Sequence, residues 1–414
     1  MSQQASPWLV LAACAVATLT SWVGGSWAPR LSAMLLLAAG CIWLFARRGS
    51  RFETTDRAVW FLLAIPGWGV FQVLCGVTVY VNASLLAIVH WTSLALVFYF
   101  ATQVCADKQQ RNRMLVTLAI LASVLAWVAL LQPYAGRLGI ESMRSVAADA
   151  YAGTFANRNT YACFAELTLP VLLWLGMRPS RARWFWLLSA AALAGSVINS
   201  GSRAGAILVL GECVVFAFLI SRGHKLHWKL AFAAAVVVIA AGVVTLGDGS
   251  LAVRLQYSDP FVFRREIYRS GAAMFADRPL AGFGLGTFSA AYPAYALFDN
   301  GRFVNLAHND WLQLAVEGGL VVLGLFVCFS VLVLRGFRQA IWALGIPVVL
   351  VHALVDFPFH RLGVAVWWML LAGALRCSTP GRTGAPCIRS RVRRRARVPD
   401  ARLPLPTVES LPVP

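Results

Sequence analysis

Apolar runs alternate with short basic loops along almost the whole chain, and a single long polar stretch interrupts them. The runs cover about 8–23, 31–46, 58–77, 84–104, 114–133, 160–176, 184–198, 204–221, 228–246, 311–334, 339–355 and 362–376. Most approach the ~20 residues a helix needs to cross the hydrocarbon, where a helix satisfies its own backbone hydrogen bonds. The pattern therefore predicts an all-α integral membrane protein with about 12 transmembrane helices. Several runs are short for a full crossing, which tilt or partial spans would accommodate. The first run has no basic residues before it and no small-residue cleavage site after it, and it reads as a retained helix, not a removed signal peptide.

Composition agrees: 59% of residues are hydrophobic, only 13% are charged, and the mean hydropathy is +0.69. The charged share is about half that of a soluble domain, which excludes a soluble fold. A net charge of +19 would suit a nucleic-acid binder, but its placement argues otherwise. With the N-terminus inside, the short loops 47–57, 105–113, 177–183, 222–229 and 335–338 carry more Lys/Arg than all the much longer opposite loops together. This positive-inside bias puts both termini in the cytoplasm and makes basicity a matter of topology. No nucleic-acid partner is expected. Residues 1–376 read as one polytopic domain without internal repeats. The basic, Pro-rich tail 377–414 reads as a disordered cytoplasmic segment that meets anionic membrane lipids. The nine cysteines are scattered, none in the long outer loops and none at metal-ligand spacing, which argues against disulfides and a zinc site.

The polar interruption, 247–310, falls on the outer side. It carries Arg254, Arg264, Arg265, Arg269, the glycine cluster Gly282, Gly284 and Gly286, and Ala307-His308-Asn309-Asp310. From Phe263 to Ala276 the spacing predicts an amphipathic helix. Ile267, Gly271, Met274 and Phe275 share one face, Arg265 and Arg269 another, and Asp277-Arg278-Pro279 ends it. Cations are selected against on this face, so an arginine cluster there needs a reason, and diphosphate binding supplies one. The chain has only three lysines, Lys108, Lys225 and Lys229, and its outer face uses arginine alone, whose planar fork suits phosphate. His308, at the membrane boundary, can accept a proton near neutral pH, or it can be a surface residue beside a helix cap made by Asn309 or Asp310. Arg203, in the turn Ser200-Gly201-Ser202-Arg203, adds full charge to a helix start that already favours anions; ordinary capping by Ser200 or Ser202 is the plainer reading. Asp356, in Asp356-Phe357-Pro358-Phe359-His360-Arg361, could orient His308 or an arginine, or be a solvated turn. Glu166, Glu212 and Glu317 fall within runs, where a carboxylate is costly. For Glu166 and Glu212 a buried hydrogen bond between helices is the expected explanation. The glycines resemble half of a nucleotide fingerprint but lack its βαβ context, so a tight turn is the expectation.

Taken in order, these segments resemble the O-antigen ligase and polymerase superfamily. Gly153-Thr154-Phe155-Ala156-Asn157-Arg158-Asn159 is similar to its outer motif before a middle span. Ser200-Gly201-Ser202-Arg203-Ala204-Gly205 is similar to its Ser-Arg-Gly/Ala turn. Arg265-Glu266-Ile267-Tyr268 followed by Pro279-Leu280-Ala281-Gly282-Phe283-Gly284-Leu285-Gly286-Thr287-Phe288 resembles its arginine helix and glycine turn, with Tyr268 where the family often has tryptophan. His308-Asn309 with Glu317-Gly318-Gly319, and Val351-His352-Ala353-Leu354-Val355-Asp356-Phe357-Pro358, resemble its closing motifs.

The resemblance implies a GT-C-type glycosyltransferase of the bacterial inner membrane, with one long periplasmic loop containing the amphipathic helix. Its donor would be a glycan on undecaprenyl diphosphate and its acceptor a sugar hydroxyl of lipid A–core. Transfer would be inverting, with no metal and no cofactor. Carried onto this chain, His308 would be the base, Arg203 and Arg265 would grip the diphosphate, and Arg264, Arg269, Asn309, Asp310, Asp356 and Arg158 would line the substrate site. Chain polymerase and protein O-oligosaccharyltransferase are the alternatives within the superfamily, and a lipid or glycan transporter the one outside it.

Overall fold

The computed structural model describes residues 27–46, 56–134, 152–155, 157–220, 262–297, 301, 303–337 and 340–378. The runs expected at 8–23 and 228–246, Arg254, and the basic tail beyond 378 lie outside these residues. The described residues are helical, with no strand among them. The helices are α1 (Trp27–Ala46), α2 (Ala58–Leu74), α3 (Val81–Cys105), α4 (Lys108–Leu131), α5 (Arg158–Gly176), α6 (Arg183–Asn199), α7 (Arg203–Ile220), α8 (Val262–Asp277), α9 (Phe288–Ala291), α10 (Asp310–Leu334), α11 (Gly345–His352) and α12 (Leu362–Arg376). Every predicted run within the described residues falls on a helix. Four of them, α3, α4, α7 and α10, combine the length and apolar character needed to cross a membrane. The chain is a membrane protein. The expected twelve crossings are not reached among the described residues, because helices such as the eight-residue α11 are too short to span alone.

α5 is the axis of the bundle. It is buried from Thr160 to Leu173 and packs against α4, α6, α7 and α11. α12 is buried along its length and packs on α3, its rings meeting those of α5 and α10: Trp367 on Phe164 at 4.9 Å and Trp368 on Phe329 at 5.8 Å. Such edge contacts add directional packing where hydrophobic burial alone gives a helix in lipid little preference. At the far end of α12, buried Arg376 forks onto Asp56 (2.8 and 2.9 Å) and also donates to the Leu332 carbonyl.

α10 is broken. Gly319 lies at φ 67°, ψ −166°, outside helical geometry, which frees backbone groups that a membrane interior cannot hydrate. The glycine turn takes them up. Phe283 N donates to Val316 O (3.0 Å), Gly284 N to Glu317 O (2.9 Å), and Leu320 N to Pro279 O (2.8 Å). Fully buried Gln72 of α2 completes the joint. Its amide donates to Ala281 O (2.6 Å) and Glu317 O (2.8 Å) and accepts from Leu285 N (3.0 Å). Backbones come so close that a Cβ at Gly282 (φ 67°) would stand 2.4 Å from the Glu317 carbonyl oxygen. The turn is therefore more than the tight helix exit its sequence predicted: it splints a broken helix. α8 ends at Asp277, as its spacing predicts, and packs on α10. Ile267 and Met274 join Phe283, Phe288, Tyr292 and Val316 in a second, smaller core.

Candidate active site

His308 precedes α10 and sits in the left-handed region at φ 53°, the one non-glycine residue there among the described residues. Such a conformation costs a residue with a Cβ about 1–2 kcal/mol and persists only when neighbours hold it. They do so here. Tyr268 of α8 donates its hydroxyl to the His308 carbonyl (2.9 Å), and Asn309 caps α10 by accepting from Leu312 N (3.0 Å). The imidazole stands edge-on to Phe357 (4.9 Å), and the guanidinium of Arg361 lies over the same ring at 4.7 Å. Arg264, whose Nη1 donates to Val355 O (2.7 Å), adds a second cation. Burial first, then Arg264 and Arg361, lower the His308 pKa to about 4, so the ring is neutral near pH 7. Its Nδ1 is buried without a hydrogen-bond partner among the described residues, as is one carboxylate oxygen of Asp356. Burial raises the Asp356 pKa, against the opposing pull of His352 and Arg264.

Asp310 does not reach a substrate-facing surface. It is completely buried and organises the 353–360 segment from beneath. Its N–H donates to Ala353 O (2.9 Å) and Asp356 O (3.2 Å). Its carboxylate accepts from Phe359 N (2.7 Å) and His360 Nδ1 (2.5 Å). Glu317, expected shallow enough to reach the outer surface, is buried as well. It accepts from Gly286 N (2.7 Å), Phe288 N (3.3 Å) and Gln313 Nε2 (2.9 Å), with His360 Nε2 at 3.9 Å.

The arginines separate into groups. Arg264 faces His308. Arg265 and Arg269 lie on the exposed face of α8, and Arg269 pairs with Glu266 (3.0 Å). Arg158 and Arg203 begin α5 and α7, whose starts are joined by Ser202 Oγ donating to Asn159 Oδ1 (2.9 Å). Ser202 also caps α7 by accepting from Gly205 N (3.3 Å). Deeper, Glu166 of α5 and His352 of α11 share a 2.7 Å hydrogen bond, the interhelical contact expected of Glu166. Glu212 differs: neither of its oxygens has a partner among the described residues. Cys163, Glu166 and His352 also place ligand atoms within 4.8 Å of one another, a grouping that spacing in sequence does not reveal. An ion there would have to separate the hydrogen-bonded Glu166–His352 pair.

Residues 188–327, which hold Arg203, α8, the glycine turn and His308, match the O-antigen ligase family model. The match, over about a third of the chain, supports the O-antigen ligase and polymerase superfamily for that segment. No curated protein matches it. The match stops short of Arg158 and of the Asp356–Arg361 turn, so the superfamily segment and the turn that covers its histidine come together only in the fold. Sequence reasoning placed His308, Arg264 and Asp356 in one neighbourhood but did not single out Gln72 and gave no role to Phe357, His360 or Arg361. The last three were visible as a polar and aromatic cluster at a membrane boundary. Gln72 gave no signal beyond being an amide in an apolar run.

Proposed function

We propose that the protein is an O-antigen ligase of the bacterial inner membrane. It would transfer a glycan from undecaprenyl diphosphate to a sugar hydroxyl of lipid A–core on the periplasmic side. The observation that carries this is a neutral, half-buried imidazole with two arginines beside it. A base near an anion grip is what displacement at a glycosyl diphosphate needs. The acceptor hydroxyl attacks C1 of the donor sugar and the C1–O bond to the diphosphate breaks. The electron pair leaves on undecaprenyl diphosphate, and the hydroxyl proton passes to Nε2 of His308. Arg264 and Arg361 neutralise the leaving diphosphate beside the base. Arg265 and Arg203 receive it at the rim, and Arg269, Arg158 and Asn309 stand further out. Asp356 aligns the arginines. Asp310 supports the site without touching substrate. The twelve-span topology with both termini cytoplasmic remains the arrangement that best fits the basic loops.

A transporter would also use a broken helix, and α10 has one. Its freed backbone groups are taken by the glycine turn and Gln72, however, which leaves them unavailable to a cargo. Chain polymerase uses the same donor and the same base, and only the acceptor differs. The deciding experiment gives purified protein the lipid-linked glycan with either lipid A–core or a second lipid-linked unit. Glycan on lipid A–core is the expected product. Elongated donor would make the protein a polymerase, and full activity of His308→Asn would remove the base.

A further inference from the structure

Around His360, ion pair, hydrogen bonds and packing converge on one short turn. The turn Pro358–His360 is held by side chains from two helices. From α10, the Asp310 carboxylate takes Phe359 N on one oxygen (2.7 Å) and His360 Nδ1 on the other (2.5 Å). Also from α10, Glu317 stands 3.9 Å from His360 Nε2. From α3, His90 Nε2 donates to the Phe359 carbonyl (2.9 Å). The flanking residues of the turn are those that dress the base. Phe357 lies against the His308 ring, and Arg361 lies over Phe357. Asp310 is itself two residues from His308 and starts α10. One carboxylate thus fixes both the histidine-bearing end of α10 and the turn that presents Phe357 and Arg361 to it.

We propose that His360 is a positioning residue: as an imidazolium bonded to Asp310, it clamps the 357–361 turn to the start of α10 and so holds His308 in its left-handed, base-competent pose. His360 is not the proton acceptor. Burial lowers its proton affinity, but the charge and hydrogen bond of Asp310, with Glu317 behind it, outweigh that and push its pKa up to about 10. Near neutral pH it therefore stays charged while His308, a few residues away, stays neutral. The titratable and charged groups around it are Asp310 and Glu317 of α10 and the imidazole of His90 of α3, with Asp356 and Arg361 on its own segment. The two histidines divide the work: one is kept charged to hold geometry, the other neutral to take a proton. This rests on the transferase reading above.

The test compares His360→Asn with His360→Gln in the glycan-transfer assay. An asparagine amide falls where Nδ1 was and can still donate to Asp310, whereas a glutamine amide falls nearer Nε2 and cannot. His360→Gln is expected to lose at least ~30-fold in kcat with an unchanged KM for donor, and His360→Asn to recover most of that loss. Equal rates for both variants and wild type would overturn the proposal. So would equal loss in both variants with donor binding and melting temperature intact. Should either variant fail to fold, wild-type protein decides. The clamp requires stability that is full below about pH 6.5 and falls as pH rises towards about 10, and a flat melting temperature across that range overturns it. His308→Asn run alongside keeps the two readings apart. If it transfers normally, the base assignment fails. If it is dead while His360→Gln is normal, only the clamp fails.

Discussion

Protonation of His308 gives the sharpest prediction. Its pKa is about 4 in the folded protein against 6.5 for a free imidazole, a gap of about 2.5 pH units. At about 1.4 kcal/mol per unit, this amounts to about 3.5 kcal/mol of differential stability. The sign follows from the direction. A lowered folded pKa means the unfolded chain binds the proton more readily, so stability is intact above 6.5 and is lost as pH falls from 6.5 towards 4. His360 adds nothing in that window, being protonated in both states below 6.5. The assay is thermal unfolding in detergent from pH 4 to 8 for wild type and His308→Asn. Asparagine is the right partner because it tolerates the left-handed backbone better than alanine. The difference between the two curves should open below pH 6.5 and flatten above it. The same group should govern catalysis, so the acid limb of kcat/KM for donor should lie near pH 4. Removing one cation with Arg361→Gln should raise that limb by about half to one pH unit. Parallel unfolding curves, or an acid limb near 6.5 that Arg361→Gln leaves in place, would refute the assignment.

Gly282→Ala should lose more than about 3 kcal/mol, because it combines left-handed strain with a backbone clash; Gly76→Ala, at the same φ with open space around it, should lose only about 1 kcal/mol. Melting temperatures in detergent would separate the two. Arg264→Gln should cut kcat/KM by about 100-fold or more, whereas Arg269→Gln, exposed and paired with Glu266, should change it less than about threefold. A stronger effect at Arg269 would move the anion grip outward along α8. Dialysis against a strong chelator should leave transfer unchanged. Loss of activity that a divalent cation restores would instead point to Cys163, Glu166 and His352 as an ion site.

Much of this molecule was legible from residue pattern, for physical reasons. A helix in lipid must be apolar over most of its length, so runs announce helices, and each run within the described residues lies on one. The 3.6-residue spacing of Ile267, Gly271 and Met274 likewise foretold α8 and its buried face. What stayed hidden depended on contacts between distant segments. Asp310 reads as a polar residue at a membrane boundary, and only the fold shows its carboxylate turned inward onto Phe359 and His360, some fifty residues away. The break in α10 is foreshadowed by Gly318-Gly319, but nothing in sequence says that its loose ends meet Gln72 and the glycine turn. Tyr268 stands where the family resemblance leads one to expect tryptophan. Either ring can present a donor to the His308 carbonyl, which gives that substitution a physical basis.

The splint at Gly319 bears on modularity. Pro279–Leu285 lies on the sequence side of a polar loop, yet its backbone completes the hydrogen bonding of a membrane helix, with Gln72 as the shared fastener. Loop and helix share one hydrogen-bond network. A chimaera that grafts a relative's loop onto this chain would therefore have to carry residues 279–288, 316–320 and position 72 together.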